Sequence, residues 1–163
     1  MLELNRISAG YGKQTVLDGI SVDFEKGKLT SIIGVNGCGK STLLKAILGI
    51  LSLSSGEITV DGENLLTMNR NEIAKKIAYL SQGKNIPDMT VEQMVLHGRF
   101  PYLSYPRRYS SHDREVAIKA METVGVAEFA HKPLYSLSGG MRQNAYIAMA
   151  LAQDTDYILL DEP

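Results

Sequence analysis

The sequence predicts an α/β fold in which antiparallel strands come first, a mixed or parallel core sheet follows, and a helical segment is inserted before the last strand. Two observations lead to this prediction. Apolar runs of strand length alternate with helical patterns. One of these runs leads directly into a glycine-rich loop that a helix follows. No repeat or linker divides the 163 residues, so we expect a single domain.

The first part of the chain predicts mainly strands. Residues 1–24 alternate weakly between apolar and polar positions, which indicates two antiparallel strands around a turn at residues 9–12. Residues 56–60 predict a strand that ends at the tight turn Asp61-Gly62. A capping pattern over residues 69–72 then predicts a short helix before a further strand.

Beyond residue 87 the pattern becomes helical. Capping-box patterns at residues 90–93 and 110–113 predict two helix starts, and the second helix should end near Gly125. A third helix is expected over residues 139–153. The apolar run at residues 157–160 predicts a buried strand of the parallel type.

Residues 34–41 match the pattern G-x-x-x-x-G-K-[ST] at every fixed position. Leu29, Ser31, Ile32 and Ile33 predict a short buried strand before the loop, and residues 42–48 predict a helix after it. Glycines let backbone N–H groups converge on phosphate oxygens, and the helix N-terminus adds its positive end. The fold is thus of the P-loop NTPase type, and we expect a nucleoside triphosphate to contact Asn36, Gly37, Cys38, Gly39, Lys40, Ser41 and Thr42.

Two residues of this loop have distinct expected roles. Lys40 reaches the β and γ phosphates, and the Ser41 hydroxyl is a ligand of Mg²⁺. Asp161 and Glu162 follow the last strand, at the sheet edge where ligands bind in α/β folds. We expect Asp161 to hold Mg²⁺ through its water shell and Glu162 to polarise the attacking water.

A further loop, Leu137 to Gly140, places a hydroxyl and two glycines at the start of a helix, which is a second arrangement suited to an anion. The three motifs at residues 34–41, 137–140 and 157–163, in this order and spacing, resemble the nucleotide-binding domain of ATP-binding cassette (ABC) transporters. The resemblance covers the whole chain.

The resemblance implies ATP as the nucleotide and further roles at matching positions. Tyr11 is expected to stack on adenine, and Gln82 to reach Mg²⁺ and the attacking water. Ser138, Gly139 and Gly140 match the signature loop, which in this family contacts ATP bound to the opposite subunit of a head-to-tail homodimer.

The resemblance also implies a domain plan. Residues 1–82 and 154–163 would form the nucleotide-binding core, with its ABC-type antiparallel β subdomain, and residues 83–153 the inserted helical subdomain. The domain would be C-terminally incomplete at Pro163, because the family's following loop and switch histidine come after Glu162. The three histidines of this chain all precede that position, and we interpret them as surface residues: His97, His112 and His131.

Residues 95–103 and 148–153 are similar to the importers of iron-siderophore, haem and cobalamin. Met141 and Asn144 depart from the family pattern, in which a glutamine and an arginine are usual. Permease subunits and, indirectly, a substrate-binding protein are the implied partners. The permease should dock on residues 84–109, where we expect five exposed apolar or aromatic side chains: Ile86, Met89, Phe100, Tyr102 and Tyr105.

The composition and charge of the chain argue against some classes of protein. A net charge of −1 argues against nucleic-acid binding, which needs a basic surface. No targeting segment and no apolar run of membrane-spanning length is present, so we expect a protein that is cytosolic or peripheral to a membrane. The resemblance to ABC transporters implies the second, at the cytoplasmic face of the cell membrane. The single cysteine, Cys38, suits a reducing compartment.

Two alternatives to an importer ATPase stay open. ABC ATPases of DNA repair carry the same motifs, but long coiled-coil insertions separate them, and residues 82–138 have neither the length nor the heptads. A nucleotide-binding module without turnover is the second alternative, because the switch histidine is not among these residues.

Overall fold

The computed structural model describes residues 1–81 and 86–161. The chain divides into two compact units, Met1–Ile77 and Ala78–Pro163. Each unit has its own set of buried apolar side chains.

The first unit contains a four-stranded antiparallel sheet in the order β2-β1-β3-β4. Its strands are β1 (Leu2–Tyr11), β2 (Gln14–Phe24), β3 (Leu53–Val60) and β4 (Glu63–Asn64). The predicted antiparallel pair is confirmed, although its turn lies at residues 12–13, since Tyr11 already pairs with Gln14. β1 and β3 contribute most of the buried side chains of this sheet.

Two α-helices, α1 (Lys40–Ile47) and α2 (Arg70–Lys76), and a short 3-10 helix at Leu65–Thr67 complete the first unit. α1 contacts β1 and β2 and buries Leu43, Leu44 and Ile47. It begins at the end of the glycine-rich loop, as the sequence predicts.

The buried strand predicted at residues 29–33 is wrong. This segment is irregular, and Leu29 and Ile33 are 94% and 93% exposed. An extended segment becomes a strand only when a neighbour takes up its N–H and C=O groups. Among the described residues no strand pairs with this segment, so its apolar side chains, including Ile32, stay exposed.

The second unit is mainly helical. Its helices are α3 (Val91–His97), α4 (Ser111–Thr123) and α5 (Gly139–Ala152). They pack on one another around a core that includes Val95, Met121, Leu134 and Ala148. β5 (Ile77–Leu80), which begins at the boundary between the units, pairs with β6 (Tyr157–Leu160).

The strand predicted at residues 157–160 is present, but the buried setting predicted for it holds only in part. Tyr157 is buried, whereas Ile158 and Leu160 are exposed. Within the described part of the chain β6 has a single strand neighbour, β5, so the sheet that contains it has only two strands.

All three predicted capping boxes are confirmed, at the starts of α2, α3 and α4. In each helix the N-cap side chain accepts from the N3 backbone N–H, and the N3 side chain accepts from the N-cap backbone N–H. α4 ends at Val124, and Gly125 follows with φ 72°, as expected for a helix end.

A buried ion pair connects the segment that follows α3 with α4, and its arginine also reaches the end of α5. The Arg99 Nε lies 3.0 Å from Asp113 Oδ1, and both residues are almost fully buried. Arg99 Nη1 also donates to the carbonyl of Ala152 at the end of α5. The guanidinium lies 3.9 Å from the centre of the Tyr102 ring, and the Tyr102 hydroxyl donates to the carbonyl of Gln153. This cluster fixes the C-terminal end of α5.

Candidate nucleotide-binding site

The loop at residues 34–39 wraps around the end of the Lys40 side chain. Lys40 Nζ donates to the carbonyls of Gly34, at 2.8 Å, and Val35, at 3.1 Å. The Cys38 N–H donates to the Val35 carbonyl at 3.3 Å and closes the turn. The Lys40 ammonium thus lies at the glycine-rich loop and is held by two of its carbonyl oxygens; in P-loops a lysine at this place and the backbone N–H groups of the loop bind phosphates.

Two glycines of the loop are required by its backbone. Gly37 has φ 80° and Gly39 has φ 103°, conformations that L side chains rarely adopt. A Cβ on Gly39 would also lie 3.2 Å from the Val16 side chain. Steric constraints therefore require glycine at the position just before Lys40.

α1 begins without a side chain that caps its first turn. Residues 36, 37, 38 and 41 are exposed, whereas Thr42 is buried. An uncapped helix N-terminus beside a glycine-rich turn favours an anion.

Tyr11 lies at the end of β1, in the same unit as the loop, with its side chain half exposed. The ammonium of Lys45 on α1 lies 5.9 Å from the centre of the Tyr11 ring. The exposed ring is thus accessible, and its stacking on adenine stays a prediction.

In the second unit, Asp161 directly follows β6 and is held by β5. Its backbone N–H donates to the Leu80 carbonyl at 3.0 Å. Its Oδ2 accepts from the Tyr79 hydroxyl at 3.2 Å. Burial, followed by the negative charge of Asp161, raises the pKa of Tyr79, so this hydroxyl stays a donor.

The Ser138 loop begins α5, as the sequence predicts. The Ser138 side chain accepts from the Met141 N–H at 3.3 Å, which makes Ser138 the N-cap. Gly139 and Gly140 are exposed, and a Cβ on either would meet nothing within 4 Å. Packing against the described residues therefore does not require glycine here, although glycine costs about 1 kcal/mol in a helix relative to alanine.

Asn144 and Met141, the two residues that depart from the family pattern, have different structural environments. Asn144 donates from Nδ2 to the carbonyl of Val124, the C-cap of α4, at 3.1 Å. It therefore makes its own polar contact between α5 and α4. Met141 packs partly buried against the helical core and supplies only its backbone N–H to Ser138.

The expected docking segment is exposed at some positions only. Ile86, Phe100 and Tyr105 are exposed, and Tyr105 is 97% exposed. Met89 and Tyr102 are not, which corrects the prediction for these two. Met89 packs against the helical core, and the Tyr102 hydroxyl bonds the end of α5.

Two expected site residues, Gln82 and Glu162, lie outside the described residues. The three histidines are exposed, as expected: His97, His112 and His131.

In the described ranges, no group of three or more His, Cys, Asp or Glu side chains could by itself hold a metal ion. Nor does any helix there have the length and apolar character to cross a membrane.

Sequence reasoning missed two long-range contacts: that of Tyr79 with the expected site residue Asp161, and that of Arg99 with the end of α5 in the helical part of the second unit. Tyr79 reaches Asp161 across 82 positions, and Arg99 reaches Ala152 across 53. Neither contact has a local sequence signal, since each depends on how distant elements pair.

The loop, its lysine and the strand-end aspartate define the class of protein as a P-loop nucleotide-binding protein. Comparison with known proteins makes this specific: the model of the family described as "ABC transporter" matches residues 17–163. The chain therefore belongs to the ABC transporter family.

Individual curated proteins that the chain resembles are consistent with this family. The chain is 43% identical to the petrobactin import ATP-binding protein FpuD of Bacillus anthracis, over 99% of this chain and 60% of that protein. It is 41% identical to the iron(3+)-hydroxamate import ATP-binding protein FhuC of Bacillus subtilis, over 99% of this chain and 61% of that protein. The chain thus spans about 60% of the length of these relatives.

Solved structures show the same fold. A putative metal-chelate type ABC transporter in an inward-facing conformation matches with a TM-score of 0.83 and 31% identity, over 99% of this chain and 60% of that one. The ADP conformation of the ATP-binding cassette MJ1267 matches with a TM-score of 0.85 and 26% identity, over 97% of this chain and 66% of that one. The expected P-loop α/β fold with antiparallel strands and a helical part is confirmed.

Proposed function

We propose that this chain is the ATP-binding and ATP-hydrolysing subunit of an importer that takes up an iron-chelate-type substrate through membrane permease subunits. The observation that carries the proposal is the loop at residues 34–39, which holds the Lys40 ammonium against its own carbonyls. The relatives named as petrobactin and iron-hydroxamate import proteins support the substrate class.

The residues fit a magnesium-bound nucleotide by the chemistry of their donors. Mg²⁺ prefers oxygen ligands and keeps several waters. The chain offers the hydroxyl of Ser41 in the first unit and, acting through the water shell of the metal ion, the carboxylate of Asp161 in the second. Gln82 is proposed as a further ligand. Bound Mg²⁺ would neutralise charge that develops on the phosphates during hydrolysis.

The remaining roles belong to this chain's own side chains. Lys40 would leave its loop carbonyls and donate to the β and γ phosphates, while the amides of the loop bind the same oxygens. Glu162 would orient the attacking water and accept its proton. Tyr11 would stack on the adenine.

The exposed glycines after Ser138 support a partner on this loop. Because no described residue lies within 4 Å of a Cβ added to Gly139 or Gly140, a second copy of the chain could bring its bound ATP close to their backbone. We propose a head-to-tail homodimer with ATP at the interface. Ile86, Phe100 and Tyr105 would contact the permease, and the protein would then lie on the cytoplasmic side of the membrane as a peripheral subunit.

The test separates binding from hydrolysis in the full-length protein. Lys40→Ala should weaken ATP binding about 100-fold or more, since charged hydrogen bonds contribute roughly 1.5–3 kcal/mol each. Glu162→Gln should bind ATP normally and stall hydrolysis. Lys119→Ala, on an exposed face of α4, is the control and should change neither quantity.

Calorimetry measures ATP binding and phosphate release measures turnover. Equal loss of ATP affinity in the Lys40 and Glu162 variants would contradict the division of roles. Normal binding with no turnover in the unaltered protein would instead support a binding module. A DNA-repair function has no structural support, because between β5 and α5 the described helices, α3 and α4, have 7 and 13 residues and form no long coiled coil.

A further inference from the structure

Asp161 is held at two points by consecutive residues of β5. Leu80 accepts from its backbone N–H at 3.0 Å, and Tyr79 donates its hydroxyl to the carboxylate at 3.2 Å. The first bond belongs to the backbone and fixes where the residue lies. The second acts on the side chain and restricts rotation of the carboxylate.

The pairing of β5 with β6 and the Leu80–Asp161 backbone bond already join these strands. The hydroxyl of Tyr79 is therefore not needed to place the backbone of Asp161. A neutral donor also has a chemical advantage over a lysine or arginine at this position. It orients the carboxylate without bringing a positive charge that would repel Mg²⁺.

We propose that Tyr79 is a positioning residue that orients the Asp161 carboxylate for Mg²⁺. The inference rests on the proposed MgATP site. Tyr79 does not itself bind the metal ion, and it acts through Asp161. Hydrogen-bond partners of metal ligands typically change metal affinity 10–100-fold when they are removed.

The test measures the Mg²⁺ requirement of nucleotide binding, with mant-ATP fluorescence as the readout rather than turnover. Tyr79→Phe removes one oxygen atom and keeps the ring. Tyr109→Phe is the matched control, since Tyr109 is also partly buried in the second unit and packs against the helical core. Each protein is titrated with mant-ATP in EDTA and then, at fixed mant-ATP, with Mg²⁺.

The Tyr79→Phe protein should keep its mant-ATP affinity in EDTA, and its Mg²⁺ midpoint should rise about tenfold or more. The Tyr109→Phe protein should match the unaltered protein in both titrations. In an Asp161→Asn background, Tyr79→Phe should have no further effect, because its action passes through the carboxylate.

An unchanged Mg²⁺ midpoint, an additive loss in the double variant, or an equal loss of affinity in EDTA would each overturn the proposal. Thermal unfolding is measured first, and a Tyr79→Phe protein that fails to fold would assign the hydroxyl to folding and overturn it as well. If the unaltered protein binds no mant-ATP with or without Mg²⁺, the proposed function itself fails.

Discussion

The buried Arg99–Asp113 pair gives the sharpest prediction for stability. Arg99→Met keeps an unbranched apolar stem but removes the contacts to Asp113 and to the Ala152 carbonyl, both at 3.0 Å. Arg99 is 3% and Asp113 6% exposed, so water cannot replace the lost partner. Breaking a buried pair at one side costs about 3–5 kcal/mol, a large part of the roughly 5–15 kcal/mol that stabilises a typical domain.

The assay is urea unfolding followed by far-ultraviolet circular dichroism, which reports mainly on the helical second unit. Arg107→Met is the control, since Arg107 is exposed and contacts only the face of the Phe100 ring, at 4.6 Å, in the contacts that the structure gives for it. Loss of this cation–π contact in Arg107→Met should lower the free energy of unfolding by about 0.5–1 kcal/mol. A cost below about 1 kcal/mol for Arg99→Met, or one equal to that of the control, would refute the reasoning.

The same pair predicts a pH dependence. Burial opposes the charged form of Asp113, but hydrogen bonds from Ser110 and Arg99 and the charge of Arg99 outweigh it and lower the pKa below the ordinary 3.8. The unfolded chain then binds the proton more readily than the folded chain, so folding stability rises with pH through this range. The stability lost in Asp113→Asn should therefore be largest above pH 3.8 and shrink as the pH falls through the lowered pKa. A loss that stays constant down to acid unfolding would contradict this.

Three further predictions concern the loop and α5. Gly39→Ala should destabilise the first unit by about 1–3 kcal/mol, because φ 103° is strained for any L side chain; an unchanged unfolding free energy would contradict it. A bulky maleimide on the exposed Cys38 should block ATP binding, and MgATP should slow the labelling; equal labelling rates with and without MgATP would place Cys38 outside the phosphate site. Asn144→Ala should cost about 1 kcal/mol through its lost bond to the Val124 carbonyl; Gln143→Ala, on the exposed face, is the control, and an equal cost would refute the role.

The parts of this fold that sequence predicts correctly are those with local chemistry. A capping box needs only an N-cap and a side chain three residues later, so the starts of α2, α3 and α4 are readable from residues 69–72, 90–93 and 110–113. The glycine-rich loop is equally local, because the backbone angles at Gly37 and Gly39 select the residue type.

The parts that sequence misses depend on neighbours. Leu29 and Ile33 are as apolar as strand residues elsewhere, but their burial requires a pairing strand that the segment itself cannot specify. The contact of Tyr79 with Asp161 requires β5 to lie beside β6, which no local pattern shows. Arg99 reads as a solvated surface charge in sequence, because long charged side chains are rarely buried unless paired.

The distribution of caps among the helices has a consequence for how ligand and stability are linked. α2, α3 and α4 close their first turns with their own side chains, whereas α1 has no side-chain cap and α5 has only Ser138. The two incompletely closed helix starts are those that begin at the glycines of the expected ATP sites. A ligand there would act as the missing cap and stabilise the folded chain in proportion to the logarithm of its concentration. Amide hydrogen exchange should then slow on nucleotide binding at the starts of α1 and α5, and stay unchanged at the starts of the other three helices.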